Sequence, residues 1–202
     1  MARILILFAH PAFEKSRVHK SLVKHVPRGD GITFHDLYEA YPDYDIDVDR
    51  EQALLLNHDI IIFQHPFYWY SCPAIMKQWL DLVLEHGWAY GRGGTQLAGK
   101  YVLNAITAGG REEVYQESGY NRFTIRQLLA PFDQTAHLCK MIYLPPFVVH
   151  DTHRMDAASI ERFGEQYQQM LIALKDNNVT LASADQGKYI NEIIPSTKAL
   201  KL

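Results

Sequence analysis

"DIIIFQHPFYWYSCPAIMKQWLDLVL", residues 59–84, decides the fold. The run Ile60 to Phe63 is apolar at every position, as expected of a strand buried on both faces inside a parallel sheet. Further on, Ile75, Met76, Trp79, Leu80, Val83 and Leu84 share one helical face. Pro73 suits the first turn of that helix, where its missing N–H costs nothing. Between strand and helix stand four consecutive aromatics, Phe67 to Tyr70. Neighbouring side chains point in different directions, so these rings cannot all enter one core. Some must face a ligand, a partner or solvent, and a flat heterocycle would stack on them.

Outward from this stretch, apolar β-branched runs alternate with helical patterns. The runs are Ile4–Ala9, Ile32–Leu37, Ile60–Gln64, Tyr101–Ile106 and Met141–Val149. Val18, Leu22, Val23 and Val26 share one helical face, and Ile160, Phe163, Tyr167, Met170, Leu171 and Leu174 share another. Asp156 is placed to cap the last helix, and Asp49, in the acidic stretch "DYDIDVDRE", to cap an earlier one. Pro145-Pro146 weakens the fifth run, which therefore belongs at a sheet edge. Strand–helix alternation over residues 1–175 means an α/β domain, an open, doubly wound parallel sheet. Residues 176–202 carry little apolar periodicity and read as a C-terminal tail.

A net charge of −3 over 202 residues gives no electrostatic case for nucleic acid or anionic lipid as the main partner. No apolar run approaches the roughly 18 residues of a membrane span, and the first residues lack the pattern of a signal peptide. The two cysteines, Cys72 and Cys139, have no metal-ligand spacing and suit a reducing compartment. A cytoplasmic protein is expected.

Open α/β sheets bind ligands beyond the carboxyl ends of their strands. Three loops fall there. "AHPAFEKSRVHK", residues 9–20, has neither a dinucleotide fingerprint nor a Walker lysine. Its Ser16 opens a helix, either as a cap alone or as a phosphate seat together with the N–H groups of Arg17, Val18 and His19. The aromatic loop is the second. "TAGGREEVY", residues 107–115, is the third, and its Gly109-Gly110 pair permits close backbone approach to a ligand. A phosphate seat, an aromatic wall and a glycine floor on one edge describe a flavin mononucleotide (FMN) site.

The stretches "AHP" (9–11), "DLYEAYPDYDIDVDREQALL" (36–55), "QHPFYWYSCPAIMKQWLD" (64–81), "HGWAYGRGGTQLAGK" (86–100) and "TAGG" (107–110) resemble the flavodoxin-fold NAD(P)H:quinone oxidoreductases. Within that family they resemble in particular the cytosolic ancillary subunits of bacterial glutathione-gated potassium-efflux (Kef) systems. The resemblance implies a five-stranded sheet of order 2-1-3-4-5, FMN as cofactor with FAD as the runner-up, and NADH or NADPH as co-substrate. It implies that His10, Ser16, Arg17, Val18 and His19 line the phosphate and ribityl end. Phe67, Tyr68, Trp69 and Tyr70 would border the ring system, with Thr107, Ala108, Gly109 and Gly110 over its pyrimidine edge. Trp69 and Tyr70 would also meet the nicotinamide or quinone, and Tyr90 would reach the substrate from the second subunit of a homodimer.

The implied reaction is a two-electron ping-pong hydride transfer. Tyr115 matches the family tyrosine that hydrogen-bonds the reduced ring. Asn121 stands where mammalian relatives have an assisting histidine, and it cannot take up a proton. A regulatory flavin-binding subunit of a potassium/proton antiporter, at the membrane through that partner, is a second reading, and a flavodoxin-like electron carrier a third. His150 and His153 read as surface histidines before a metal site, so no metal is expected, and Cys72 as a structural thiol.

Overall fold

Strand β1 (Ile4–Phe8) leads through α1 (Arg17–Lys24) to β2 (Ile32–Asp36), then α2 (Leu37–Ala40) and α3 (Val48–Leu56). β3 (Ile60–Pro66), α4 (Ala74–Val83), β4 (Tyr101–Thr107), α5 (Ile125–Leu128) and α6 (Ala130–Leu138) follow. Last come β5 (Ile142–Tyr143), β6 (Phe147–Val149) and α7 (Ala157–Lys175). This computed structural model describes residues 1–29, 31–176 and 188–193. The strands are all parallel in the order β2-β1-β3-β4-β5, with β6 also paired to β4. The architecture is the flavodoxin-like doubly wound sheet that the sequence implied.

The period of two along each strand divides the core. Leu5 and Leu7 of β1, with Ile61 and Phe63 of β3, pack with Ile75 and Trp79 of α4 on one face. Ile4, Ile6, Ile60 and Ile62 meet Val18 and Leu22 of α1 and Tyr167 and Leu171 of α7 on the other. β3 is buried along its whole length, so a run apolar on both faces marks the centre of the sheet.

The fifth run is broken where Pro145-Pro146 falls between β5 and β6, as expected of residues that cannot donate to a ladder. The outer edge of β6 is covered by residues 188–193. Asn191 accepts from Val148 N at 2.9 Å through Oδ1 and donates to Val148 O at 3.1 Å through Nδ2. Ile190 N donates to Pro146 O at 3.1 Å. An amide side chain thus pairs an edge that would otherwise be open. The expected 176–202 tail therefore contains a docked piece, while residues 177–187 and 194–202 lie outside the described residues.

Asp156 caps α7, accepting from Ser159 N at 2.7 Å. The expected cap at Asp49 is corrected to Asp47, whose Oδ1 accepts from Arg50 N at 3.0 Å. Asp49 lies in the first turn, where its charge suits the positive helix end.

One charged group is wholly buried in the core. Glu51 accepts from His35 Nε2 at 2.8 Å, Tyr41 Oη at 2.5 Å and Trp79 Nε1 at 2.8 Å. Burial works to raise its pKa, but the three donors together hold it below the ordinary 4.5. A carboxyl with a lowered folded pKa contributes stability above its unfolded value, and that contribution is lost as pH falls through the folded one. Glu51→Ala leaves three donors unpaired and is expected to cost about 3–5 kcal/mol in urea denaturation. Its stability should also fall less steeply than wild type as pH drops below about 4.5. Wild-type stability in the variant would show the cluster to be energetically idle.

Candidate functional site

At the carboxyl edge of the sheet, the loops after β1, β3, β4 and β6 enclose a cleft of about 690 Å³. The β1 loop contributes His10, Ala12, Lys15, Ser16, Arg17 and Val18, and the β3 end contributes Pro66, Phe67, Tyr68 and Trp69. The last contributions are Thr107 and Gly109 from β4 and its loop, and Thr152 and His153 after β6. The volume is that of an ordinary small-molecule site.

One end is the capped start of α1. Ser16 caps α1, its Oγ accepting from His19 N at 3.2 Å. The N–H groups of Arg17 and Val18 find no acceptor among the described residues, and the helix dipole adds to their pull on negative charge. The Arg17 guanidinium donates to Met155 O at 2.9 Å, which ties α1 to the loop after β6. His10 is held by Ala12 N, which donates to its Nδ1 at 3.1 Å. Burial lowers the His10 pKa, against the pull of Glu14.

His19 departs from the expectation that it lines the phosphate end. Its N–H is taken by Ser16, and its ring is fully buried behind the cleft. There Tyr167 Oη donates to Gln64 Oε1 at 2.9 Å. The Gln64 amide nitrogen lies 3.4 Å from His19 Nδ1, and His19 Nε2 lies 3.1 Å from Thr107 Oγ1. With its oxygen engaged by Tyr167, Gln64 donates to Nδ1, so the imidazole proton sits on Nε2 and points at Thr107. The Thr107 hydroxyl hydrogen is left to turn into the cleft. Burial, then the neighbouring His10 and His65, push the His19 pKa well below 6.5 and keep the ring neutral.

The aromatic wall is built on a strained turn. Ser71 N donates to Tyr68 O at 3.0 Å, and the two residues between them, Trp69 and Tyr70, have φ of 50° and 62°. Positive φ at both central positions is the mark of a type I′ turn, usually built from Asn and Gly. Trp69 is 92% exposed, so packing by this chain does not offset the strain. The turn stands Trp69 upright at the rim. Tyr70 leans edge-on against Phe67, 6.4 Å between ring centroids, and its hydroxyl donates to Asn121 Oδ1 at 3.2 Å.

The glycine loop forms the opposite wall. A Cβ on Gly109 would lie 2.5 Å from His153 Nε2, so a side chain there would displace the imidazole from this spot. Among the described residues nothing accepts from the N–H groups of Gly109 and Gly110. Ala108 has no such freedom, because its N–H donates to Val149 O at 2.8 Å. Tyr115 is buried against Gly110 and edge-on to Phe67. Burial, then Tyr70, raise the Tyr115 pKa and keep it a proton-bearing donor. Asn121, expected beside Tyr115, has its side chain on Tyr70 instead.

Tyr70, Ala108, Gly110, Tyr115 and Asn121 thus surround the cleft without lining it. Tyr90 lies elsewhere, packed edge-on to His86 and lining a second cavity of about 430 Å³ with Cys72 and Cys139. Burial raises the pKa of both thiols. Among the described residues no group of three or more metal-ligating side chains is assembled. Thr152 and His153 were missed as cleft residues. The only sequence signal for them was their place just past the fifth strand, on the edge where ligands bind.

Residues 2–171 match the family described as having a flavodoxin-like fold. The glutathione-regulated potassium-efflux system ancillary protein KefG of Shigella flexneri serotype 5b is 44% identical over 82% of this chain and 91% of its own length. The general stress protein 14 of Treponema denticola, solved in complex with FMN, is 38% identical with a TM-score of 0.79, over 87% of this chain and 98% of that one. An NADPH-quinone reductase from P. pentosaceus is 33% identical with a TM-score of 0.75, over 83% and 96%. A chain described as a thermophilic tryptophan halogenase from Streptomycin violaceusniger is 42% identical with a TM-score of 0.80, over 83% and 98%.

If the Trp69–Tyr70 turn is strained to hold a ring at the rim, easing it should separate stability from binding. Replacing the pair by Asn-Gly (Trp69→Asn with Tyr70→Gly) is expected to raise the unfolding free energy by about 1–2 kcal/mol. The same change removes the wall of the cleft and should weaken ligand binding. A double variant less stable than wild type would show that the two rings hold the fold.

Proposed function

The chain belongs to the flavodoxin-like family matched over residues 2–171, and we propose that it is an FMN-dependent NAD(P)H:quinone oxidoreductase serving a potassium-efflux system. The observation that carries this reading is the cleft itself. It joins two free N–H groups at a helix start to a standing tryptophan and a glycine wall, with no adenine fingerprint. An NADPH-quinone reductase and an FMN-bound protein among the relatives support the same chemistry.

The residues fit FMN. Ser16, Arg17 and Val18 would hold its phosphate, and Gly109 leaves backbone exposed where a side chain would block it. Tyr68 and Trp69 would cover the ring face, and Thr107 offers the hydroxyl hydrogen that His19 leaves free. When bound, FMN would supply the two-electron chemistry that links a nicotinamide donor to a quinone acceptor. The protein's part is to position and to stabilise negative charge. The unpaired N–H groups of Gly109 and Gly110 suit that charge, and Tyr115, kept protonated by burial, adds a donor behind them.

Trp69 and Tyr70 would meet the substrate stacked over the ring. Tyr90, remote from its own chain's cleft, would serve only from the second copy of a homodimer. The relatives named as ancillary proteins of potassium-efflux systems favour an antiporter as partner. Since no helix among the described residues is long and apolar enough to cross a membrane, such recruitment would be protein to protein.

Titration of the apo chain with FMN tests the reading, with one FMN per chain expected. Trp69→Ala should weaken binding by up to about tenfold, because a stacked ring contributes about 0.5–1.5 kcal/mol beyond area burial. Tyr115→Phe should bind FMN normally and slow its reduction by about tenfold for each 1.4 kcal/mol lost. A folded chain that takes up no FMN at saturation would end the proposal.

A further inference from the structure

His153 lines the cleft and is exposed within it, yet no role described above uses its side chain. His10 also lines the cleft, but its Nδ1 accepts from Ala12 N. His19 is buried in its own row of hydrogen bonds. No hydrogen bond or ion pair among the described residues engages the His153 ring. The ring is nevertheless placed by its loop. Arg154 N donates to Asp151 O at 3.1 Å, closing a tight turn that carries His153. One side of the turn is stitched to the glycine loop, where Asp151 N donates to Gly110 O at 3.0 Å and Thr152 N to Ala108 O at 3.3 Å. The other side is held by the Arg17 guanidinium, which donates to Thr152 O at 3.4 Å and to Met155 O at 2.9 Å. Between these anchors the imidazole lies against Gly109, in space that a Cβ would take.

We propose that His153 contacts FMN from the glycine wall, donating a ring N–H to the pyrimidine edge and favouring the reduced, negatively charged form. This rests on the FMN reading given above. The imidazole packs on the residue whose N–H, with that of Gly110, finds no acceptor among the described residues. A ligand edge that reaches those two groups therefore comes within reach of the ring. Backbone and ring then supply the same chemistry, donors fixed in place before negative charge develops, which is where donors are worth most. Either nitrogen of a neutral imidazole can carry its proton. With neither engaged inside the described chain, one N–H is left for the ligand. A hydrogen bond to a charged acceptor is roughly twice as strong as one to a neutral acceptor, so the contact separates the two redox forms. Glycine at 109 has two effects: it bares its own N–H, and it leaves room for the imidazole.

The test uses the full-length, FMN-loaded chain and reads the two-electron midpoint potential. Beside it stand the dissociation constants for oxidised FMN and for riboflavin, which lacks the phosphate. His153→Phe keeps a ring without nitrogen, and His153→Gln keeps an N–H donor. His153→Phe should favour reduced FMN about tenfold less than wild type, a potential about 30 mV more negative. His153→Gln should recover part of that loss. Oxidised FMN and riboflavin should both bind His153→Phe about threefold more weakly, because a neutral hydrogen bond contributes modestly and the pyrimidine edge is common to both. An unchanged potential in His153→Phe, with FMN retained, would overturn the role of His153 and leave the flavin reading standing. Weaker binding of FMN with unchanged binding of riboflavin would place the ring at the phosphate and overturn it as well. If His153→Phe fails to fold, His153→Ala takes its place under the same criteria. Wild type that binds no FMN would remove both proposals at once.

Discussion

A row of buried hydrogen bonds crosses the sheet beneath the cleft and joins parts far apart in sequence. It runs from Tyr167 in α7 to Gln64 in β3, then to His19 in α1 and Thr107 at the end of β4. Tyr167, Gln64 and His19 are fully buried, so each polar atom needs its partner and the directions of donation are set along the row. That constraint fixes where α1 begins relative to β4, and so how far the capped helix start stands from the glycine loop. It also keeps His19 neutral and leaves one threonine hydrogen for the ligand. A second row lies on the opposite face of the sheet, in which Tyr143 Oη donates to Asn104 and the Asn104 amide lies 3.0 Å from His65 Nε2. Burial lowers the His65 pKa to about 4, so this imidazole too stays neutral. The buried floor of the cleft is polar and neutral, and free backbone N–H groups stand at its rim beside Lys15 and Arg17.

The rim follows the opposite logic. Where the floor satisfies every group, the Trp69–Tyr70 turn holds two bulky residues at positive φ and leaves one of them in solvent. Strain that a core would relieve persists at functional sites because the surroundings over-determine it. Here Tyr70 is held by Phe67 and Asn121, and Trp69 is carried along. The four consecutive aromatics divide accordingly. Phe67 is buried, Tyr68 and Tyr70 are half-exposed, and Trp69 stands free.

What the residues disclosed in advance follows from the range of the interactions involved. The uniform apolar run at Ile60–Phe63 announced a central strand, and Pro145-Pro146 announced a broken edge, because burial and the missing N–H act locally. Ser16 and Asp156 announced helix starts for the same reason. The cap misassigned to Asp49 shows the limit of such signals: in a stretch rich in aspartates, only the chain path picks out Asp47. The inward turn of His19, the approach of His153 to Gly109 and the docking of Asn191 on β6 each join residues more than 40 positions apart. No local period records them. His150 belongs with these, since its two phenolic neighbours come from loops 35 and 39 residues away.

The central proposal for this chain is that the cleft is a hydride-accepting flavin site. The most direct measurement is anaerobic mixing of the FMN-loaded protein with NADH and, separately, with NADPH, followed by addition of a quinone. Bleaching of the flavin absorbance by at least one nicotinamide, and its full return with the quinone, is the predicted result. Flavin that stays oxidised in the presence of both nicotinamides would contradict the account.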